Sequence, residues 1–272
     1  MLVFSENIAY SSEQMKRPRG FVPAKRANRA MTFSKKAHEI GYLSSIRILE
    51  TKGGKPVEDW ENEVLRYLGY KKVNRDLQIR QDIQKAYGKL KAISKAQATW
   101  QAFEIKAQGE EIFLADLNWS LPGQAIRAHL EKSQRCVLMA VTLGYEVERL
   151  IQYTEHVSLR EALILDACAN VEIEKFADEE QLKIQEHFGM YTTERFSPGY
   201  GDLPLSVQSK LLAVLEAHKK IGLSVNAQSI LLPRKSITAL IGIQKEKSEK
   251  LCRGCNHCDK KDCLFRKNIG NR

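Results

Sequence analysis

The run Cys136-Val-Leu-Met-Ala-Val-Thr-Leu143 is apolar at almost every position and is closed by Gly144. It is far short of the roughly 20 apolar residues that a membrane span needs, and its lack of alternation marks a buried strand. Such a strand belongs inside a fold, covered by other elements, and the flanking patterns supply them. Trp60, Val64, Leu65 and Leu68 share a helical face ended by Gly69, and Ile79, Ile83, Tyr87 and Leu90 recur at spacings of three and four in a second helix. Thr99 to Lys106 and Glu111 to Asp116, with Gly109 between them, read as a hairpin. Pro122 opens a helix through Leu130, and another runs from Tyr145 to Glu155. Ser158 and Glu161 form a capping-box pattern at the head of a long helix reaching about His187. Beyond a Pro- and Gly-rich loop, Arg195 to Pro204, a helix is centred on Leu211, Leu212 and Leu215. Two β-type runs, Leu223 to Leu232 and Ser236 to Ile243, meet at Pro233. With no βαβ period and no internal repeat, the expected fold class is α+β, one domain with antiparallel hairpins and several long helices.

Charge divides the chain differently. Of 43 Lys+Arg and 33 Asp+Glu, residues 1–50 hold 9 and 4, residues 245–272 hold 9 and 4, and residues 51–244 hold 25 and 25. The net charge of +10 therefore belongs to the two ends. A neutral body argues against a nucleic-acid-binding core, which needs a basic stripe to neutralise phosphates. The expected organisation is a basic N-terminal extension (1–50), with little to bury, a folded body (51–244) and a Cys-rich basic tail (245–272). The first residues lack the apolar segment of a secretory signal, so a cytoplasmic protein without a membrane span is expected.

The most specific stretch is Thr193-Glu-Arg-Phe-Ser-Pro-Gly-Tyr-Gly-Asp-Leu-Pro204. Its prolines and glycines fix an irregular backbone, and Arg195, Tyr200 and Asp202 bring a cation, a ring and an acid into one turn. An arginine can hold a carboxylate bidentately, a tyrosine can lie against a nucleoside, and exposed peptide groups can bond a purine edge.

Arg195-x-x-Pro-Gly-Tyr200 resembles the signature of the activation domain of cobalamin-dependent methionine synthase. Three further stretches agree: Val64-Leu-Arg-Tyr-Leu-Gly-Tyr70, Ala140-Val-Thr-Leu-Gly144, and Ile230-Leu-Leu-Pro-Arg-Lys-Ser-Ile-Thr-Ala-Leu-Ile-Gly242. The likeness spans residues 51–244 and is closest to the stand-alone members of the family. It implies a module that binds S-adenosylmethionine and delivers its methyl group to cobalamin that has slipped into the inactive cob(II)alamin state, with an electron donor such as a flavodoxin. It implies that Arg195 pairs the methionyl carboxylate, that the backbone at Ser197 contacts the adenine, that Tyr200 lies against the nucleoside, and that Gly199 belongs to the same binding loop. Glu174, within Glu174-Lys-Phe-Ala-Asp178, would meet the substrate ammonium, with Glu172 as the alternative. The family's acidic ligand residue near its N-terminus has no counterpart here. The last of the quoted stretches is, in the family, a hairpin with Pro at its turn. No catalytic residues are expected, because the methyl sulfonium is already activated and the corrinoid is the nucleophile. No histidine lies in the Asp-x-His-x-x-Gly context of cobalamin-binding modules. The corrinoid is therefore expected on a partner, a corrinoid-loaded methionine synthase or related methyltransferase.

Six cysteines fall as Cys136 and Cys168 inside apolar stretches and as Cys252, Cys255, Cys258 and Cys263 in the tail. The four tail thiols, with His257 nearby, suit a small zinc knuckle or an iron–sulfur cluster, and the surrounding Lys and Arg favour thiolates. Two other readings stay open at this point: a zinc-containing nucleic-acid-associated protein, suggested by the basic ends, and a non-catalytic regulator of corrinoid metabolism.

Overall fold

The computed structural model describes residues 59–70, 77–108 and 111–246. The expected N-terminal extension, the turn at Gly109 and the cysteine tail with Cys252, Cys255, Cys258, Cys263 and His257 lie outside the described residues. In chain order the elements are α1 (Asp59–Tyr67), α2 (Leu77–Ile93), β1 (Gln97–Gln108), β2 (Glu111–Leu114), β3 (Trp119–Leu121), α3 (Gln124–Leu130) and β4 (Arg135–Thr142). They continue with α4 (Tyr145–Val157), α5 (Leu159–Phe188), β5 (Tyr191–Thr192), α6 (Val207–Val214), α7 (Ala217–Ile221), β6 (Ser224–Val225), β7 (Leu231–Leu232) and β8 (Ser236–Gln244). The architecture is α+β, as the sequence implies.

The apolar run forms β4, in the middle of a six-stranded sheet of order β3-β2-β1-β4-β8-β5. It pairs antiparallel with β1, from Gln97 opposite Thr142 to Glu104 opposite Arg135. On its other edge it pairs antiparallel with β8, from Arg135 opposite Ile243 to Thr142 opposite Ser236. Because successive residues of a strand face opposite ways, Val137, Met139 and Val141 enter a core shared with α1, α2, α4 and α5. Cys136, Leu138 and Ala140 enter a second core with residues of α3, α6 and α7. Helices on both faces leave no wet side, so the strand has no polar alternation even though it is antiparallel. Cys136 and Cys168 are buried free thiols, and desolvation pushes both pKa values up to about 12. They are packing residues, with no thiolate at neutral pH.

The capping expectation for α5 holds in part. Ser158 Oγ accepts the Glu161 N–H at 3.3 Å, while the Glu161 side chain pairs with Lys89 on α2 instead of returning to the cap. The helix runs 30 residues, about 45 Å, and stops at Gly189.

One expectation fails. Leu223 to Leu232 does not form a strand alongside β8, whose partners are β4 along one edge and, on the other, β5 and the Phe196–Leu240 bridge toward its C-terminal end. The segment folds back on itself as the short β6–β7 pair. Asn226 Oδ1 closes the turn by accepting N–H groups of Gln228 and Ile230 at 3.0 and 2.9 Å. The family-implied hairpin across Pro233 is thus only the approach to β8.

Leu138 is wholly buried in the second core. Leu138→Ala should cost about 2–5 kcal/mol, read as a lower midpoint in urea unfolding with an unchanged slope.

Candidate functional site

The segment leaving β5 follows the outer edge of β8 and carries a bulge. Thr193 N–H donates to the Gly242 carbonyl at 2.9 Å, and Phe196 and Leu240 exchange both backbone bonds at 3.0 and 2.8 Å. Two residues, Glu194 and Arg195, therefore face one, Ile241, an extra residue that re-aims the chain. Thr193 Oγ1 accepts the Gly242 N–H at 2.8 Å and lies 2.9 Å from His129 Nε2. Any side chain at Gly242 would collide, since its Cβ would lie 2.1 Å from Ser133 Oγ and 2.9 Å from Thr193 Cγ2. The bulge is thus clamped from α3 and from β8.

Past the bulge, neighbours diverge. Phe196 enters the second core, whereas Arg195 lies against α5. Its Nη2 donates to Glu174 Oε2 at 2.8 Å, and its Nη1 donates to Asp178 Oδ1 at 2.6 Å and Gln181 Oε1 at 3.3 Å. Residues 174, 178 and 181 are spaced four and three apart, so they share one face of the helix. That face continues backward through Asn170 and Asp166, where Lys235 donates to Asn170 Oδ1 at 2.7 Å and pairs with Asp166 at 2.6 Å. Two cations, with side chains only 17% and 12% exposed, pin two loops to one polar stripe.

A cavity of about 470 Å³ lies between those loops, within the range of small-molecule sites. Glu174, Asp178 and Gln181 of α5 form one wall. Glu194, Arg195, Ser197 and Tyr200 form the second, and Leu231, Ser236, Ile237 and Thr238 with Gln208 the third. The third wall is fixed by side chains: Thr238 Oγ1 donates to Gln208 Oε1 at 3.1 Å, and Gln208 Nε2 donates to the Ser229 carbonyl at 2.8 Å.

Four of the five residues expected in a ligand site, Arg195, Ser197, Tyr200 and Glu174, line this cavity. Gly199 does not. It makes the turn that shapes the wall: with Pro198 before it and φ of 91°, it occupies the third position of a turn closed by Tyr200 N–H to the Ser197 carbonyl at 3.0 Å. The Tyr200 ring packs edge-on to Phe196 at 5.9 Å and stays exposed.

Glu172, the alternative to Glu174, sits elsewhere. It faces α2, accepting from Tyr87 Oη and Lys91 Nζ at 2.7 Å each. Burial works to raise its pKa, but the bonds from Lys91 and Tyr87 outweigh that and hold it low. Asp202 also has a different task from the one its place in the loop suggests. Its carboxylate accepts the N–H groups of Gln124 and Ala125 at 2.6 and 2.9 Å, capping α3 from a distance. The bonds from Ala125 and then Gln124 hold its pKa below the usual aspartate range.

Asp178, Gln181 and Glu194 join the cavity wall beside the residues expected there. The spacing 166, 170, 174, 178 is the signal that carries the α5 members. Glu194 has no such signal, because its aim follows from the bulge. Among the described residues, no group of three or more His, Cys, Asp or Glu is arranged to hold a metal ion. No helix among them is long and apolar enough to cross a membrane.

No protein-family profile matches the sequence, and no curated protein matches it. Among solved structures, the chain superposes on the crystal structure of the MetH reactivation domain bound to AdoHcy. The TM-score is 0.53 at 14% identity, over 70% of this chain and 74% of that one. In fold, this chain is similar to the MetH reactivation domain. At such low identity the likeness is one of fold alone. Within a reactivation-domain-like fold, the described cavity is the part of the surface where a half-buried arginine, acids and an exposed tyrosine converge.

The remote cap makes a test of how the loop is held. Asp202→Ala should lower the melting temperature at neutral pH by a few degrees. A carboxyl with a lowered native pKa stabilises above its unfolded value of about 3.9, and loses that contribution as pH falls through the native value. The gap between wild type and variant should therefore close under acid, as scanning calorimetry across pH would show.

Proposed function

We propose that this chain binds S-adenosylmethionine in the cavity between α5 and the 194–200 loop, and serves the reductive remethylation of cobalamin carried by a separate methionine synthase or related corrinoid methyltransferase. The observation that carries the reading is Arg195, the single cation among the cavity-lining residues, held partly buried opposite Glu174 and Asp178. An α-amino acid end carries a carboxylate and an ammonium, and this wall offers a partner for each. Arg195 takes the carboxylate and gives up its own acids, and Glu174 takes the ammonium. Tyr200, 57% exposed at the rim, offers a ring face to the nucleoside, and the turn at Ser197 to Tyr200 offers peptide groups to the base edge. The reactivation-domain-like fold, whose solved counterpart is bound to AdoHcy, supports the same ligand class.

The corrinoid supplies the nucleophile for the methyl group. What this chain contributes is position: the clamped bulge fixes Arg195, Arg195 fixes one end of the ligand, and the methyl sulfonium is thereby presented at the open side of the cleft. Such alignment needs no acid or base from the protein. The reducing electron comes from a separate donor, flavodoxin-like by the family resemblance. The tail thiols Cys252, Cys255, Cys258 and Cys263 are proposed to hold zinc or an iron–sulfur cluster.

Titration calorimetry with S-adenosylmethionine should show one site, weakened about ten- to a hundredfold in Arg195→Ala as a charge-assisted pair is lost. No binding to wild type, or unchanged binding in the variant, would remove the assignment. For the tail, anaerobically purified full-length protein should carry either visible charge-transfer absorption with iron and sulfide, or one zinc per chain. A colourless, zinc-free preparation with four titratable thiols would exclude both metals.

A further inference from the structure

We infer that Asp178 makes the cavity selective for a sulfonium ligand over the matching thioether, an inference that rests on the S-adenosylmethionine reading of the same site. One cation, Arg195, lines the cavity against three acids, Glu174, Asp178 and Glu194, which leaves a net charge of −2 on the walls. In the protein as it stands, Arg195 is shared. Its two outer nitrogens are divided between Glu174 at 2.8 Å and Asp178 at 2.6 Å. These two carboxylates sit four residues apart on one helix face, where like charges repel unless a cation lies between them.

A ligand carboxylate that takes Arg195 removes that shared cation from both acids. The ligand's ammonium compensates one. The second needs another positive charge, and the sulfonium of S-adenosylmethionine brings it, whereas the thioether of S-adenosylhomocysteine is neutral. The three charges of the sulfonium ligand thus match Arg195, Glu174 and Asp178 in number and sign. The thioether leaves one carboxylate unmatched in a cleft with a surplus of negative charge. Donation of the methyl group therefore weakens the hold on the product at the moment it forms, which favours exchange for fresh donor.

Asp178 is the residue to test because its side chain is 68% exposed, so its replacement disturbs little packing. Asp178→Asn keeps an oxygen for Arg195 Nη1 and removes only the charge. The measurement is calorimetric titration of full-length wild type, Asp178→Asn and Glu194→Gln with S-adenosylmethionine and with S-adenosylhomocysteine, at low and high NaCl.

Wild type should prefer the sulfonium by about three- to tenfold at low salt, a size set by solvent-screened charge pairs. The preference should shrink at high salt. In Asp178→Asn the two affinities should converge, that for the sulfonium falling as its partner is lost and that for the thioether rising as the unmatched carboxylate is removed. Equal wild-type affinity for the two, equal loss of both in Asp178→Asn, or loss of the preference in Glu194→Gln alone would overturn this inference and leave the S-adenosylmethionine reading standing. Failure of wild type to bind either ligand would overturn that reading and this inference with it.

Discussion

The polar stripe along α5 is the constraint from which the site follows. Asp166, Asn170, Glu174, Asp178 and Gln181 lie on one face of a helix that buries another face in the larger core. The acids of this stripe reach solvent, but Arg195 and Lys235, with side chains mostly buried, would be costly if left unpaired. Lys235 and Arg195 meet it from two loops that are 40 residues apart in sequence. Each cation brings its loop with it, and the cavity is the space left between the loops. The site is therefore a by-product of how two mostly buried cations find partners along one long helix.

Those two cations could not be positioned without the sheet. β8 presents the start of Lys235's loop at one end and pairs with the bulged segment carrying Arg195 along its outer edge. Its register is fixed by β4, buried on both sides and held by eight paired positions on each edge. A slip of one residue would exchange the faces of β4, sending Val137 and Met139 into the wrong core. The same slip would carry the bulge away from α5. Burial of an apolar strand and the aim of a charged side chain are in this way one problem of register.

The sequence made the larger elements legible because each has a local cause: continuous apolarity for β4, helical spacing for α1, α2 and α5, and the Ser158 cap. The fate of Leu223 to Leu232 was not legible, since a β-type run can pair with itself as readily as with its neighbour, and here the turn closed by the Asn226 side chain makes it do so. At the site, the Arg195 to Tyr200 turn was legible from Pro198 and Gly199, whose backbone preferences act within four residues. Glu172 and Glu174 could not be separated by composition. They are two residues apart on a helix and so point about 200° from each other, one toward Tyr87 and Lys91 and the other toward Arg195. Asp202 was legible as a loop acid but not as the cap of a helix 77 residues earlier.

Charge shows the same division between what adds along a chain and what folding brings together. Residues 51–244 balance 25 against 25, which by itself suggests no field at all. Folding sorts that neutral set into local imbalances, and at the cavity three acids gather around one arginine. A net charge of +10 concentrated at the ends is a sum along the chain, whereas the field at this pocket is set by the groups within a screening length of about 8 Å at physiological ionic strength. What a ligand meets is the local surplus, set by a bulge at residues 194 and 195 and by a four-residue repeat on α5. A cationic small molecule is thus compatible with this chain for reasons that its overall basicity conceals.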